Sequence, residues 1–397
     1  MLKQYKPTLD KLTKIVGKSH VLIDEQDTRH YRQGIRFGEG KVLAVVCPGT
    51  LLEQWQALQT IIEADCVVIM QAANTGLTGG STPYGDEYDR PVIIMSTRRL
   101  QGIQVILDGK QVVCLPGATL DNLERTLKPY NREPHSVIGS SCIGASVLGG
   151  VCNNSGGALV RRGPAYTEMA LYARVNESGE LELINHLGID LGNTAEEILT
   201  RLQKQDYETG QVTTQTTQLA SDNRYAHDVK QVDADSPARF NADPTRLYEA
   251  SGSAGKVCVF AVRLDTFEKV ESKVFYIGSN DHDDLTAIRR YLLTSLPSLP
   301  IAGEYIHRDA FSIGAKYGKD TFLFIERFGT VNIPRALALK DRIDGWLEKI
   351  KIRGLTDQIL QAITFFLPSH LPQRMLAFHQ RFEHHLILRV DEQSAEQ

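Results

Sequence analysis

The chain has 397 residues, a length that predicts two or three domains at roughly 150 residues per domain. It is 42% hydrophobic and 23% charged, which is typical of a globular protein and excludes disordered, collagen-like and coiled-coil chains. Its 44 basic and 48 acidic side chains give a net charge of −4, which argues against a nucleic-acid-binding protein.

The start of the chain, MLKQYKPTLDKLTKIVGKSH, lacks the continuous apolar segment of an export signal. The sequence contains no run of 18 apolar residues, so we expect no helix that crosses a bilayer. Its six cysteines form no CxxC pair. We therefore expect a protein of a reducing compartment, with cysteines that pack as small apolar residues.

From Lys41 to about Leu127, short apolar strands alternate with helices. LAVVCPGT, CVVIMQ and PVIIMS predict buried strands, and LLEQWQALQTIIEA has the apolar spacing of a helix. VVCLPGATLDNLERTL then predicts a strand, a Pro-Gly turn and a helix. The alternation predicts an α/β domain with buried sheets.

Farther along, LYARVN, LELINHLG and CVFAVRLDTF predict more strands, interrupted by a polar run from Gln203 to Asp235. After these come a strand (KVFYIG), a helix (DDLTAIRRYLLTSL) and two more strands (GEYIHRDAF and FEHHLILRV). This last part predicts a separate α+β domain.

Two glycine-rich segments stand out. The first, QAANTGLTGGSTP at 71–83, follows a predicted strand, and its Gly76, Gly79 and Gly80 permit positive φ. The second extends from Pro134 to Gly163 and interleaves seven glycines with apolar residues, which predicts a packed segment rather than a linker. Neither GxGxxG nor GxxxxGK[ST] occurs, but backbone N–H groups on such loops can hold a diphosphate. An ordinary long turn is the alternative for the first segment.

These two segments resemble the respiratory, FAD-dependent D-lactate dehydrogenases of bacteria, which belong to the vanillyl-alcohol-oxidase-type flavoproteins. The likeness continues through NHLGIDLG, ARFNADPTRLYEASGSAGK, GEYIHRDAF, KYGKDTFL, FFLPSHLPQRM and EHHL. It implies an α+β protein with a PCMH-type FAD-binding domain of two α/β subdomains at 1–268. A partial α+β cap domain would follow at 269–397.

The resemblance also implies FAD as the cofactor, oxidation of D-lactate to pyruvate by hydride transfer to the flavin, and a membrane quinone as electron acceptor. Carried over by position, the FAD contacts are the small and polar residues of the two loops and of one later strand. They are Ala72, Ala73, Asn74, Thr75, Gly76, Gly80, Ser81, Gly139, Ser146, Gly156 and Val259.

Oxidation of a 2-hydroxy acid needs a cation for the carboxylate and a base for the hydroxyl proton. His384 and His385 are the first candidates for the base, and on a strand only one of them can face the flavin. His307 is a weaker candidate, and Arg36 is a candidate carboxylate anchor; surface or packing roles are the alternatives. The spacing of histidines predicts no metal site.

Residues 327–374 are the expected membrane-contact region. They carry eight basic and four acidic side chains, a local charge of +4, beside apolar residues at helical spacing. This pattern is typical of an interfacial helix on anionic lipid, although a domain-packing helix is the alternative. The resemblance implies a peripheral protein on the cytoplasmic side of the inner membrane.

Members of the family continue beyond the point where this chain stops, so we expect an incomplete cap domain. A missing C-terminal half or a second copy could complete it. Two other functions stay open: oxidation of another D-2-hydroxy acid, and an FAD-binding fragment without full activity.

Overall fold

The computed structural model of the chain describes residues 3–34, 38–135, 143–240, 243–253, 255–329, 343, 359 and 370–397. They fall into two compact units. The first unit comprises Met1–Gly157, Pro164–Asn223 and Arg239–Lys269; the second comprises Ala158–Gly163, Arg224–Ala238 and Val270–Gln397.

The first unit begins with a four-stranded sheet and three helices. The strands are β1 (Val21–Leu22), β2 (Ala44–Val46), β3 (Val67–Gln71) and β4 (Val92–Ser96); the helices are α1 (Lys6–Val16), α2 (Glu25–Arg32) and α3 (Leu51–Glu63). The strand order is β1-β2-β4-β3, with β2 and β3 parallel to β4. Every residue of β2 and β4 is buried, as expected of a covered parallel sheet.

The helix α3 begins where the sequence indicates. The Thr50 hydroxyl accepts a hydrogen bond from the N–H of Glu53, and the Glu53 carboxylate accepts one from Gly49. The apolar stripe of this helix buries Trp55 against Phe260, with ring centroids 6.2 Å apart. Packing of this stripe holds the helix in the core of the unit.

A second sheet completes the first unit. Its strands are β5 (Ile103–Ile106), β6 (Gln111–Cys114), β8 (Ala170–Val175), β9 (Leu181–Asn185) and β10 (Cys258–Asp265), with a separate pair formed by β7 (Arg132–Glu133) and β11 (Phe267–Glu268). The order β5-β6-β10-β8-β9 is antiparallel throughout. The helices are α4 (Leu120–Leu127), α5 (Val147–Cys152) and α6 (Ala195–Lys204).

The second unit contains a three-stranded antiparallel sheet. Its strands are β12 (Ser272–Ser279), β13 (Ala302–His307) and β14 (His384–Asp391), with β14 in the centre. Its described helices are α7 (Tyr225–Asp228), α8 (His282–Thr294), α9 (Arg308–Tyr317), α10 (Lys319–Phe328), α11 (Gln373–Arg381) and α12 (Glu392–Ala395).

One sequence prediction needs correction, and one element was not predicted. GEYIHRDAF is not one strand, because β13 ends at His307 and α9 begins at Arg308, where the His307 ring accepts a hydrogen bond from Asp309 N–H. The start of the chain holds a helix, α1, that buries Leu9, Leu12 and Val16. Most of the predicted membrane-contact region 327–374 lies outside the described residues.

Candidate functional site

The first glycine loop leaves the carboxyl end of β3 and is closed at its base by a buried glutamine. The amide of Gln71 donates to the carbonyl of Tyr31 at 2.9 Å and to the carbonyl of Ser81 at 2.6 Å. The carbonyl of Gln71 accepts from the N–H of Thr97, which follows the neighbouring strand β4. The loop therefore begins and ends at the same edge of the parallel sheet, where ligands of α/β sheets bind.

Asn74 organises the loop from within. Its side-chain oxygen accepts from the hydroxyls of Ser81 at 2.7 Å and Thr82 at 2.8 Å, and its amide donates to the carbonyl of Gln33 at 2.9 Å. Its backbone is left-handed, with φ of 56°. The structure thus brings the predicted cofactor residues Asn74 and Ser81 into contact.

The glycines of the loop differ in conformation. Of the three that permit positive φ, Gly79 adopts it, at 71°, and Gly76 and Gly80 do not. A Cβ at Gly76 would meet no atom of the described residues within 4 Å, and one at Gly80 would meet none closer than 3.9 Å. Neither backbone conformation nor protein packing requires glycine at Gly76 or Gly80.

The backbone between the strand and these glycines offers hydrogen-bond donors. In the part of the chain that the structure describes, the backbone N–H groups of Ala73, Asn74, Thr75 and Gly76 have no protein acceptor. Successive N–H groups around a left-handed residue make a concave anion site. The loop therefore combines donors with space, which is what a diphosphate requires.

The second loop lies beside the first. Ser146 caps α5 by accepting from the N–H of Gly149 at 3.0 Å, and the amide of Asn153 at the end of α5 donates to the Gly149 carbonyl at 2.8 Å. The oxygen of the same amide lies 3.9 Å from the Cβ position of Gly80. The two loops therefore meet at Gly80 and Asn153, and sequence reasoning missed Asn153.

The other residues assigned to FAD are not part of the first loop, and one lies outside the described residues. Val259 is buried on β10 in the same apolar cluster as Val147 and Leu148 of α5. Gly156 has the proline ring of Pro164 3.9 Å from its Cβ position. Gly139 lies outside the described residues.

The candidate histidines belong to the second unit. His384 and His385 are consecutive residues of β14, and their side chains lie on opposite faces of the sheet. His384 is partly exposed, and its Nδ1 lies 2.8 Å from the hydroxyl of Tyr305. His385, with 0% exposure, points to the other face of the sheet, where the rings of Tyr276 and Phe311 lie within 6 Å. The expectation that the two side chains face opposite ways is confirmed.

The surroundings of these histidines differ. Burial lowers the pKa of His385, with a smaller effect from nearby His379, which favours the neutral form of its ring. His307 lies across from His384 on β13, with ring centroids 5.6 Å apart, and its Nε2 is 3.3 Å from a carboxylate oxygen of Glu383. This hydrogen bond is the main cause that lowers the pKa of Glu383.

The two remaining predictions about the site concern Arg36 and metal binding. Arg36 lies outside the described residues. Within the described ranges, Asp281, His282 and Asp283 form a group with metal-ligand atoms near one another, but all three are exposed. Exposed acidic groups of this kind are not evidence of a metal site.

The fold and the first loop define the class of protein. Residues 42–182 match the family model described as an FAD binding domain. The crystal structure of p-cresol methylhydroxylase with substrate bound shares the fold, with a TM-score of 0.55 at 11% identity over 98% of this chain and 61% of that one. A structure of alkyldihydroxyacetonephosphate synthase gives 0.56 at 12%, over 98% and 57%. The chain has the FAD-binding fold of p-cresol-methylhydroxylase-type flavoproteins.

Closer relatives identify the family. The quinone-dependent D-lactate dehydrogenase of Haemophilus influenzae is 56% identical over 385 residues, 96% of this chain and 68% of the relative. Those of Escherichia coli and Corynebacterium glutamicum are 54% and 47% identical, over 97% of this chain and 68% and 67% of theirs. The chain belongs to the quinone-dependent D-lactate dehydrogenase family.

The second unit contains the membrane-binding part of this family. Residues 274–397 match the family model described as D-lactate dehydrogenase, membrane binding. This match supports peripheral association with a membrane. None of the helices among the described residues has the length and apolar character to cross a bilayer.

Proposed function

We propose that this chain oxidises D-lactate to pyruvate, with FAD held on the loop Ala72–Ser81 and with quinone as the final electron acceptor. The observation that carries the proposal is the loop itself. Among the described residues, its N–H groups from Ala73 to Gly76 have no acceptor, and neither packing nor positive φ requires glycine at Gly76 or Gly80. Identities of 47–56% to quinone-dependent D-lactate dehydrogenases support the substrate and the acceptor.

The residues present fit an FAD molecule. The N–H groups of Ala73–Gly76 would hold the diphosphate, and the hydrogen bonds of Asn74 to Ser81 would keep the loop in shape. Ser146 and Gly156 on the second loop are the proposed contacts farther along the cofactor. When bound, FAD supplies the acceptor for the hydride that leaves the α-carbon of the substrate.

For the base that takes the hydroxyl proton we propose His384. A base must touch its substrate, and of the adjacent pair only His384 has exposed surface, whereas His385 is enclosed. The hydroxyl of Tyr305 hydrogen-bonds to Nδ1 of His384 and so fixes the orientation of its ring. His307 remains the weaker candidate for the base, and Arg36 remains the proposed anchor of the substrate carboxylate.

The His384 assignment predicts a change in the pH profile. In His384→Gln, kcat should fall by about 10²–10⁴-fold, the usual contribution of a general base, and the limb of the pH profile that reports the base should disappear. His385→Gln is the matched control from the neighbouring position. An unchanged profile in His384→Gln, with loss of activity in His385→Gln, would transfer the role to His385.

We propose that the second unit binds anionic lipid on the cytoplasmic side of the inner membrane, and that α9 and α10 contribute to the contact. These helices expose large apolar side chains beside basic ones: Ile313, Lys316, Tyr317, Lys319, Phe322, Arg327 and Phe328. Exposed aromatic and basic residues together are typical of interfacial helices. Ile313→Ser/Tyr317→Ser should reduce flotation with anionic vesicles, and undiminished flotation would exclude α9.

Anaerobic mixing with substrate tests the central proposal. The purified flavin-containing chain should lose its oxidised-flavin absorbance with D-lactate and keep it with L-lactate. Faster reduction by another D-2-hydroxy acid would change the substrate assignment. Bound flavin that no hydroxy acid reduces would indicate a cofactor-binding fragment instead.

A further inference from the structure

A buried carboxylate in the first unit lies beside two buried arginines. The side chain of Asp222 is 2% exposed, and its carboxylate lies 3.1 Å from Nη2 of Arg246 and 3.9 Å from Nη1 of Arg239. Both guanidinium groups also lie over the ring of Tyr166, at 5.3 Å for Arg239 and 5.7 Å for Arg246. The two buried cations therefore share Asp222 and the ring of Tyr166 as neighbours.

Asp243 is a second carboxylate whose charge acts on both arginines, and Glu168, beside Tyr166, is already occupied. Glu168 accepts a hydrogen bond from the Tyr166 hydroxyl at 2.8 Å and another from the N–H of Leu219 at 2.9 Å. These bonds direct both of its oxygens toward the phenol and the backbone. Glu168 therefore does not supply a further carboxylate to the two arginines.

Arg239 is the less satisfied of the two arginines. Its side chain is 4% exposed, and within the described residues its Nε and Nη1 are buried without a hydrogen-bond acceptor. Its Nη2 alone donates, to the side-chain oxygen of Asn154 at 3.0 Å. Burial lowers the pKa of Arg239, but a guanidinium remains charged at neutral pH. A buried cation with two unused donors is unfavourable unless an anion joins it.

The position of this arginine connects it with the candidate cofactor site. Asn154, which accepts from Arg239, directly follows Asn153, whose amide oxygen is the nearest protein atom, with Thr78 Oγ1, to the Cβ position of Gly80. Arg239 is therefore hydrogen-bonded to the neighbour in sequence of a residue that borders the first loop. The Nε and one Nη of a guanidinium form a two-pronged donor that matches the oxygens of a carboxylate or a phosphate.

We propose that Arg239 binds an oxyanion of a small-molecule ligand through its Nε and Nη1, with Asp222 and Tyr166 holding the guanidinium in place. The oxyanion is a phosphate of the dinucleotide or the carboxylate of the hydroxy acid. The inference rests on the proposed function, because both anions belong to that reaction. It predicts that Arg239 contributes to ligand affinity and not to folding.

Two variants and one control test the assignment. Arg239→Met removes the charge, Arg239→Lys keeps the charge but loses the two-pronged geometry, and Arg174→Met removes an exposed arginine that pairs with Glu182. Each protein is assayed for its FAD dissociation constant, for KM and kcat with D-lactate, and for the unfolding temperature of its flavin-free form.

The two sources of the oxyanion give different results. A phosphate site predicts that Arg239→Met and Arg239→Lys raise the FAD dissociation constant at least tenfold. A carboxylate site predicts unchanged FAD affinity and a KM for D-lactate raised at least tenfold. In both cases the flavin-free Arg239→Met protein should unfold at the same or a higher temperature, because the remaining Asp222–Arg246 pair is balanced. The control should change none of these values.

Other results would overturn the proposal. The proposal is wrong if folded Arg239 variants keep an FAD affinity and a KM within twofold of wild type. It is also wrong if flavin-free Arg239→Met unfolds at a lower temperature while its ligand affinities are unchanged. If Arg239→Met does not fold, Arg239→Lys and wild type are compared in the flavin-free form with inorganic pyrophosphate and with D-lactate. Either pyrophosphate or D-lactate should raise the unfolding temperature of wild type and not that of Arg239→Lys. Equal shifts in the two proteins would refute the site. A wild-type flavin that D-lactate fails to reduce would contradict the proposed function while leaving the pyrophosphate result interpretable.

Discussion

Replacing Gly76 with valine separates binding of FAD from folding. The Cβ of the new side chain would meet no atom of the described residues within 4 Å, and Gly76 is not left-handed, so the flavin-free protein should change stability by less than about 1 kcal/mol. The same side chain would occupy the space beside the N–H groups of Ala73–Gly76. Loss of two charge-assisted hydrogen bonds of about 1.5–3 kcal/mol each would weaken FAD binding by about 3–6 kcal/mol, or about 10²–10⁴-fold.

The assay is the ratio of flavin to protein in the purified chain, followed by titration of the flavin-free protein with FAD. Gly210→Val is the matched control, because Gly210 also has no described atom within 4 Å of its Cβ position and is not left-handed, but lies outside the loop. We expect wild-type FAD affinity in Gly210→Val. Wild-type affinity in Gly76→Val would refute the assignment of the loop, and a large loss of stability in the flavin-free protein would refute the claim that Gly76 faces open space.

Three further predictions concern stability. The pKa of His385 is near 6.5 in the unfolded chain and lower in the folded protein, so below pH 6.5 the unfolded chain binds a proton that the folded protein does not. The free energy of unfolding should therefore decrease as the pH drops through and below 6.5, by up to about 1.4 kcal/mol per pH unit. Urea unfolding at several pH values checks this, and equal pH dependence in wild type and His385→Phe would contradict it. Asn74→Ala removes three hydrogen bonds, so about 3 kcal/mol of local stability should be lost and proteolysis of the loop should accelerate, with Asn74→Asp, which keeps the acceptor, less affected. Trp55→Ala in the core should cost about 3–5 kcal/mol of unfolding free energy, and a loss below 1 kcal/mol would contradict the packing against Phe260.

Local structure was largely predictable from the sequence. Apolar runs marked the strands, and the apolar spacing of LLEQWQALQTIIEA marked α3, because both signals depend on residues close together in the chain. The order of the second sheet was not predictable, since β10 pairs with both β6 and β8 across long stretches of chain. Such pairings depend on the packing of the whole unit and leave no local pattern.

The candidate site was predictable in part. The residue types at 71–83 indicated a loop that binds phosphate, and the structure places Asn74 and Ser81 together in it. The sequence could not show that Gly79, and not Gly76 or Gly80, is left-handed, because several combinations of φ angles close a loop of this composition. It also could not reveal Arg239, since the shortage of acceptors there follows from burial.

The most direct test of the central claim is the response of the loop backbone to the cofactor. FAD is added to the flavin-free, ¹⁵N-labelled chain, and the amide resonances of Ala73, Asn74, Thr75 and Gly76 are followed. We predict that all four shift and become protected from exchange with solvent, whereas the amide of Gly210 does not. Saturating FAD that leaves these four resonances unchanged would contradict the claim that the loop holds the diphosphate.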